Sequence, residues 1–260
     1  MSGAGGMRVI GVVHLAALPG APGWGGEMGE VVDAALADAR AYEAGGCDAV
    51  VIENFGDAPF TAGRVGPETV AAMAVVGRRV GRELGIPFGF NVLRNDALAA
   101  LALCAACGGS FIRVNVHTGA MVTDQGLIEG NAFETVRRRD QWCPEVKLLA
   151  DVMVKHAAPA VATTIERAAE ETLGRGKADG LIVSGAATGE AVLMGDLERV
   201  RAACPEATIL VGSGVDEGNV AGLLEYADGV IVGTSVKEGG VTVGAVDEGR
   251  VRAFVGKVNN

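Results

Sequence analysis

Apolar residues gather in eight short, β-branched runs, at positions 8–14, 49–54, 87–91, 111–114, 147–152, 180–183, 208–211 and 229–232. Most are apolar at nearly every position instead of alternating, which is the pattern of strands buried on both faces. Between them lie longer stretches rich in Ala, Glu and Arg, such as 31–44, 68–84, 96–107 and 197–204. Their apolar residues recur three and four apart and predict helices. Eight strands, each followed by a helix-length segment, predict one parallel sheet covered by helices, and within a single domain a (β/α)8 TIM barrel. A doubly wound open sheet is the competing fold. It would place a glycine fingerprint after the first strand, and Val13-His-Leu-Ala-Ala-Leu-Pro-Gly20 is not one.

A weak internal repeat supports the barrel. Cys47-Asp-Ala-Val-Val-Ile, Ala178-Asp-Gly-Leu-Ile-Val and Ala227-Asp-Gly-Val-Ile-Val share a small residue, an aspartate and an apolar strand. The repeated unit is the turn from helix to strand, so Asp48, Asp179 and Asp228 are expected to form turns at the stability face.

Composition narrows the partners. Over 260 residues the chain carries 32 acidic and 22 basic side chains, a net charge of −10, which disfavours nucleic acid and anionic membrane surfaces. The longest apolar run, 97–107, is about half of the ~20 residues a bilayer crossing needs. Residues 1–6 lack the basic and apolar regions of a signal peptide. The expectation is a cytoplasmic protein with no direct membrane insertion: a flexible extension at 1–7, a barrel domain at 8–260, and homo-oligomerisation as the ordinary habit of soluble barrels. Five scattered cysteines read as reduced thiols.

Function is expected at the carboxyl ends of the strands. These carry His14, Glu53 with Asn54, Asn91, Arg113 with Asn115, Asp151, Ser184, Ser213 and Thr234. Gly212-Ser213-Gly214 after the seventh strand and Gly233-Thr234-Ser235 after the eighth lie where such barrels bind phosphate. Glycine lets backbone N–H groups approach an anion closely, and the hydroxyls add donors; two tight turns needing glycine for geometry alone is the other reading. Asp151-Val-Met-Val-Lys155-His156 puts a carboxylate, an ammonium and an imidazole within six residues. Such groups supply acid, base and electrostatic help, although Lys155 reads equally as a surface lysine. Glu53 ends an uncharged apolar strand and is hard to explain as packing. His14 is either catalytic or a core-edge histidine.

With three histidines in the chain, no metal site is assigned; Mg²⁺ held by Glu53, Asp151 and a substrate phosphate stays open. Long loops at 15–29, 55–67 and 116–131 are expected to form lids or binding walls, with Asp124 and Gln125 as substrate contacts and Trp24, Phe55 and Phe60 as pocket walls.

Several segments together resemble the BtpA/SgcQ family along nearly the whole chain. They are Gly11-Val-Val-His-Leu with Leu18-Pro-Gly, Ile52-Glu-Asn-Phe-Gly-Asp-Ala-Pro-Phe, Ile112-Arg-Val-Asn-Val with Thr123-Asp-Gln-Gly, Ala150-Asp-Val-Met-Val-Lys-His, and Val211-Gly-Ser-Gly-Val through Asn219 to Val232-Gly-Thr-Ser. One departure is Leu15-Ala-Ala-Leu-Pro, where the family usually has proline in place of one or both alanines. The resemblance implies a TIM barrel. One family branch is named for photosystem I biogenesis and another is associated with a sugar-uptake operon; no settled reaction carries over.

Two functions follow as expectations. The first is an enzyme acting on a small phosphorylated metabolite, a sugar phosphate or nucleotide-like ester, by isomerase, epimerase, lyase or glycosyl-transfer chemistry. Gly212, Ser213, Gly214, Asn219, Gly233, Thr234 and Ser235 would then bind substrate, and Glu53, Asp151, Lys155, His156 and His14 would act on it. The second is a non-enzymatic assembly factor for a membrane complex.

Overall fold

The structure is a computed structural model that describes residues 7–154, 156–185 and 192–259. In chain order the strands are β1 Val9–His14, β2 Ala49–Glu53, β3 Phe88–Asn91, β4 Phe111–Val114, β5 Ala120–Thr123 and β6 Gly126–Glu129. They continue with β7 Lys147–Val152, β8 Ala157–Pro159, β9 Gly180–Val183, β10 Ile209–Val211 and β11 Gly229–Val232. Eight of these close into a barrel in the order β1-β11-β10-β9-β7-β4-β3-β2, every pairing parallel. The protein is a single-domain (β/α)8 barrel, and the eight apolar runs of the sequence are its eight barrel strands.

The helices are α1 Met28–Ala44, α2 Pro67–Glu83, α3 Ala97–Cys107, α4 Ala132–Trp142, α5 Ile165–Gly174, α6 Met194–Ala203, α7 Val220–Leu223 and α8 Glu248–Val258. Side chains alternate across each strand, so one set fills the barrel and the other packs under the helices. The filling consists of Ile10, Val12, Ala49, Val51, Phe111, Leu149, Ile182, Leu210 and Ile231, with Met7 packed against it. Of the expected extension at 1–7, only Met7 lies among the described residues. No helix among them is long and apolar enough to cross a membrane.

The loop expected at 116–131 is more ordered than the sequence reading allowed. β5 and β6 form an antiparallel hairpin, and β8 adds to β5 as a third antiparallel strand. Its turn is built by Thr123, whose Oγ1 donates to the Gly126 carbonyl (2.9 Å) and accepts from the Gln125 N–H (3.1 Å). Gly126 has φ +98°, which a β-carbon would disfavour. The hairpin buries Met121 and Ile128 with Val116 and Val154 in a small core of its own.

Candidate active site

The inward-facing residue one step above the apolar filling is polar or glycine on the seven barrel strands that contribute to that filling. Counting by twos from Val12, Val51, Phe111, Leu149, Ile182, Leu210 and Ile231 gives His14, Glu53, Arg113, Asp151, Ser184, Gly212 and Gly233. Register places His14 beside Glu53 and Glu53 beside Asn91. Of the sequence-predicted strand-end residues, His14, Glu53, Asn91, Arg113, Asp151 and Ser184 therefore share one layer at the mouth.

Arg113 is the fixed centre of that layer. It is 4% exposed and grips Asp151 with two hydrogen bonds, Nε to Oδ2 and Nη2 to Oδ1, both 2.9 Å. Ser184 Oγ donates to Asp151 Oδ1 (2.9 Å) and Asn115 Nδ2 to Oδ2 (3.1 Å). Asn91 Nδ2 in turn donates to Asn115 Oδ1 (3.0 Å). Burial by itself would lower the Arg113 pKa, but the charge and hydrogen bonds of Asp151, with the charge of Glu53, raise it above the ordinary arginine value. Both Asp151 oxygens are engaged, so Asp151 holds Arg113 in place and offers no free carboxylate edge to a metal. Among the described residues no His, Cys, Asp and Glu side chains cluster as metal ligands; the arrangement does not fit Mg²⁺ held by Glu53 and Asp151.

Two glycines of the layer leave room where side chains would otherwise stand. A β-carbon at Gly212 would lie 2.9 Å from Ser184 Oγ and 3.2 Å from Arg113 Nη2, and one at Gly233 would lie 2.9 Å from His14 Cε1. Their smallness thus serves close packing of site side chains, whereas Gly214, at φ +64°, is the one needed for its backbone conformation. Above these positions a cavity of about 150 Å³ is lined by His14, Glu53, Arg113, Gly212–Asp216 and Gly233–Ser235. The backbone N–H groups of Gly214, Thr234 and Ser235 donate to no acceptor among the described residues.

The loops around this cavity are braced from behind. Ser235 Oγ donates to the Val215 carbonyl (2.7 Å), and Thr234 Oγ1 meets Thr242 Oγ1 at 3.0 Å. Asn219 Nδ2 donates to the Gly214 carbonyl and its Oδ1 accepts from Asp216 N–H. Asn219 therefore shapes the loop and stands outside the cavity wall. Asn54 likewise accepts from Leu93 N–H (2.7 Å) and donates to Asp57 (3.0 Å), and lines neither mouth cavity. Asn91 and Ser184 stand behind Asn115 and Asp151.

A second cavity of about 350 Å³ adjoins the first, with Glu53 and Arg113 in both walls. Phe55, Phe60 and Leu93 form its apolar side; Arg94, Asn115, Asp124, Gln125 and His156 complete it. Phe55 and Phe60 thus wall a pocket as expected, whereas Trp24 is packed against the helix-side core. His14 Nε2 lies 3.8 Å from Glu53 Oε1, and its ring meets Phe55 edge-on with centroids 4.8 Å apart. Lys155 lies outside the described residues.

Arg94 and Lys237 escaped the sequence reading. Arg94 is buried beside the second cavity; burial lowers its pKa, as does Arg113, against the charges of Asp151, Glu53 and Asp124. It stands in the loop three residues past the end of β3, where no strand pattern marks it. Lys237, buried below the Thr234–Val236 turn, has its Nζ 3.6 Å from Asp38. Burial lowers its pKa while Asp38 opposes the shift.

Comparison with known proteins agrees with this architecture. The chain is 47% identical over 247 residues, 95% of its length and 86% of the relative's, to the photosystem I biogenesis protein BtpA of Synechocystis sp. (strain PCC 6803). It is 36% identical over 255 residues, 97% of its length and 94% of the relative's, to the sgc region protein SgcQ of Escherichia coli K12. Among solved structures, phosphoribosyl anthranilate isomerase from Thermus thermophilus superposes with a TM-score of 0.61 at 16% identity, covering 97% of this chain and 98% of that one. That likeness is one of fold. The BtpA family profile spans residues 7–260, and with these relatives it makes the chain a member of the BtpA family.

Proposed function

We propose that the protein is an enzyme acting on a small phosphorylated metabolite. The observation that carries this reading is the smaller mouth cavity. Gly214, Thr234 and Ser235, whose backbone N–H groups have no acceptor among the described residues, line it together with Glu53, His14 and Arg113. Each charge-assisted hydrogen bond to a phosphate contributes roughly 1.5–3 kcal/mol, so a few such donors retain the anion without an arginine clamp.

With the phosphate held there, the adjacent substrate atoms meet Glu53 and His14. Glu53 takes a proton from the substrate or returns one, His14 relays or orients it, and the immobilised Arg113 guanidinium stabilises negative charge on a substrate oxygen. This serves isomerase, epimerase, lyase or glycosyl-transfer chemistry. Asp151 is a positioning residue acting through Arg113, and His156, Asp124 and Gln125 contact the rest of the substrate.

Calorimetric titration with inorganic phosphate and sugar phosphates tests the reading. Binding is expected for the native protein and weakened in Gly214→Ala. Glu53→Gln should retain phosphate affinity and lose about 10²–10⁴-fold in turnover. Absence of binding at millimolar phosphate or ester overturns it. The name of the Synechocystis relative favours a second reading, a non-enzymatic factor in membrane-complex biogenesis. Full complementation by Glu53→Gln would favour that one.

A further inference from the structure

Beside the smaller cavity of about 150 Å³ lies the larger one, with Glu53 and Arg113 in both walls. At about 350 Å³ it offers the volume of roughly a dozen waters at ~30 Å³ each, more than the sugar next to a phosphate requires. One side presents Phe55, Phe60 and Leu93, and the other presents hydrogen-bonding groups. Aromatic walls opposite a few fixed polar groups suit a ring, which stacks on one side and is read along its edge on the other.

Gln125 makes the edge reading specific. Its Nε2 donates to the Asp124 carboxylate, and this determines the amide's orientation, because only the nitrogen end donates. The carbonyl end is left over, and Gln125 Oε1 is enclosed with no partner among the described residues. An enclosed acceptor without a donor is costly. Gln125 lines this cavity, so a ligand N–H or O–H that displaces the groups covering Oε1 would satisfy it.

Building on the phosphate reading above, we infer that the larger cavity is a subsite for a second ring, so that the substrate is a phosphorylated glycoside and not a bare sugar phosphate. The phosphate sits between the loops after β10 and β11. The second ring stacks on Phe60 and donates to Gln125 Oε1. The linkage between the two halves falls at Glu53 and Arg113, the residues common to both walls. The ring is a nitrogen heterocycle or a second sugar, two sources with the same stacking and edge-donor chemistry.

Calorimetry on the full chain separates the possibilities, with inorganic phosphate, ribose 5-phosphate, nucleoside 5′-monophosphates, a disaccharide phosphate, and the unphosphorylated nucleosides and disaccharide as ligands. At least one two-ring phosphate is expected to bind about tenfold or more tighter than ribose 5-phosphate. That excess over ribose 5-phosphate should vanish in both Phe60→Ala and Gln125→Leu. A preference for the nucleotide identifies a heterocycle, and a preference for the disaccharide phosphate identifies a sugar. Phosphate-ester binding with no gain from a second ring overturns this inference alone, as does an excess that survives both substitutions. Phe60-dependent binding of unphosphorylated ligands without any effect of phosphate overturns the phosphate reading and keeps the ring subsite. No binding by any ligand overturns both.

Discussion

The two ends of the barrel use aspartate in opposite ways. At the amino-terminal end, Asp48, Asp179 and Asp228 each accept a backbone N–H from a neighbouring strand, that of Val9, Leu148 and Ile209, at 2.8 Å in every case. The backbone N–H of each aspartate donates back to the same residue's carbonyl, at 2.9, 2.8 and 2.8 Å. The three carboxylates pin adjacent strands together, as the repeat in the sequence predicts for turn-forming residues. At the carboxyl-terminal end Asp151 accepts four hydrogen bonds, all from side chains: Arg113 twice, Asn115 and Ser184. The main-chain bonds set register, and the guanidinium groups of Arg139 and Arg201 join Asp179 and Asp228 there from the outside, at 2.8 Å each; Asp151, with side-chain partners alone, aims the charge of Arg113 instead. Arg113, which Asp151 holds, lines both mouth cavities, so the same residue type builds the frame at one end and positions the chemistry at the other.

This contrast can be broken at either end. The largest effect is expected at the mouth. Asp151→Asn leaves the Arg113 guanidinium buried without its paired charge and should cost about 3–5 kcal/mol in urea unfolding. Replacing the pair together, with Arg113→Met and Asp151→Leu, should recover much of that stability while abolishing function; equal losses in the single and double variants would show that pairing is not what matters.

At the other end, Asp179→Ala removes the acceptor for Leu148 N–H and the partner of Arg139, whose Nη1 lies 2.8 Å from the carboxylate. The carboxylate is partly exposed, which screens the ion pair, so the loss should be about 1 kcal/mol, with turnover and phosphate affinity unaltered. A larger fall in ligand affinity than in stability would mean that the two ends are not separable.

A smaller, pH-dependent effect belongs to His117, which lies away from both mouth cavities with Nε2 2.7 Å from the Gly176 carbonyl. Burial pushes its pKa below the ordinary 6.5, aided by the charge of Arg139 and opposed by the bond to Gly176. Between that lowered value and 6.5 the unfolded chain holds a proton that the folded chain refuses. Stability from this group is therefore complete above 6.5 and falls as pH drops through the window. Unfolding free energies from about pH 7.5 to pH 5 should decline less steeply in His117→Gln than in the native protein.

Much of the barrel was legible in the sequence because burial on both strand faces leaves a local mark, a run of apolar residues. The polar layer was legible for a related reason: a residue two positions beyond a barrel-filling side chain faces the same way. The hairpin of β5 and β6 left a fainter trace. Thr123-Asp-Gln-Gly126 is a turn between short strands of mixed polarity, and Val122 and Leu127 stay exposed there while Met121 and Ile128 are buried. Arg94 left none, being a lone arginine in a loop.

The sequence by itself determined the eight strands, the aspartate turns, the glycine-bearing loops and the polar ring at the mouth, since each follows from spacing along the chain. That Asp151 grips Arg113 while Glu53 lines both mouth cavities was decided by tertiary structure. Arg113 and Asp151 are 38 residues apart and meet because β4 and β7 are neighbours in the closed sheet. That contact occupies Asp151, while Glu53, beside His14, lines both cavities. Spacing is a property of the local chain, but a partner for a buried charge exists only once the barrel has closed.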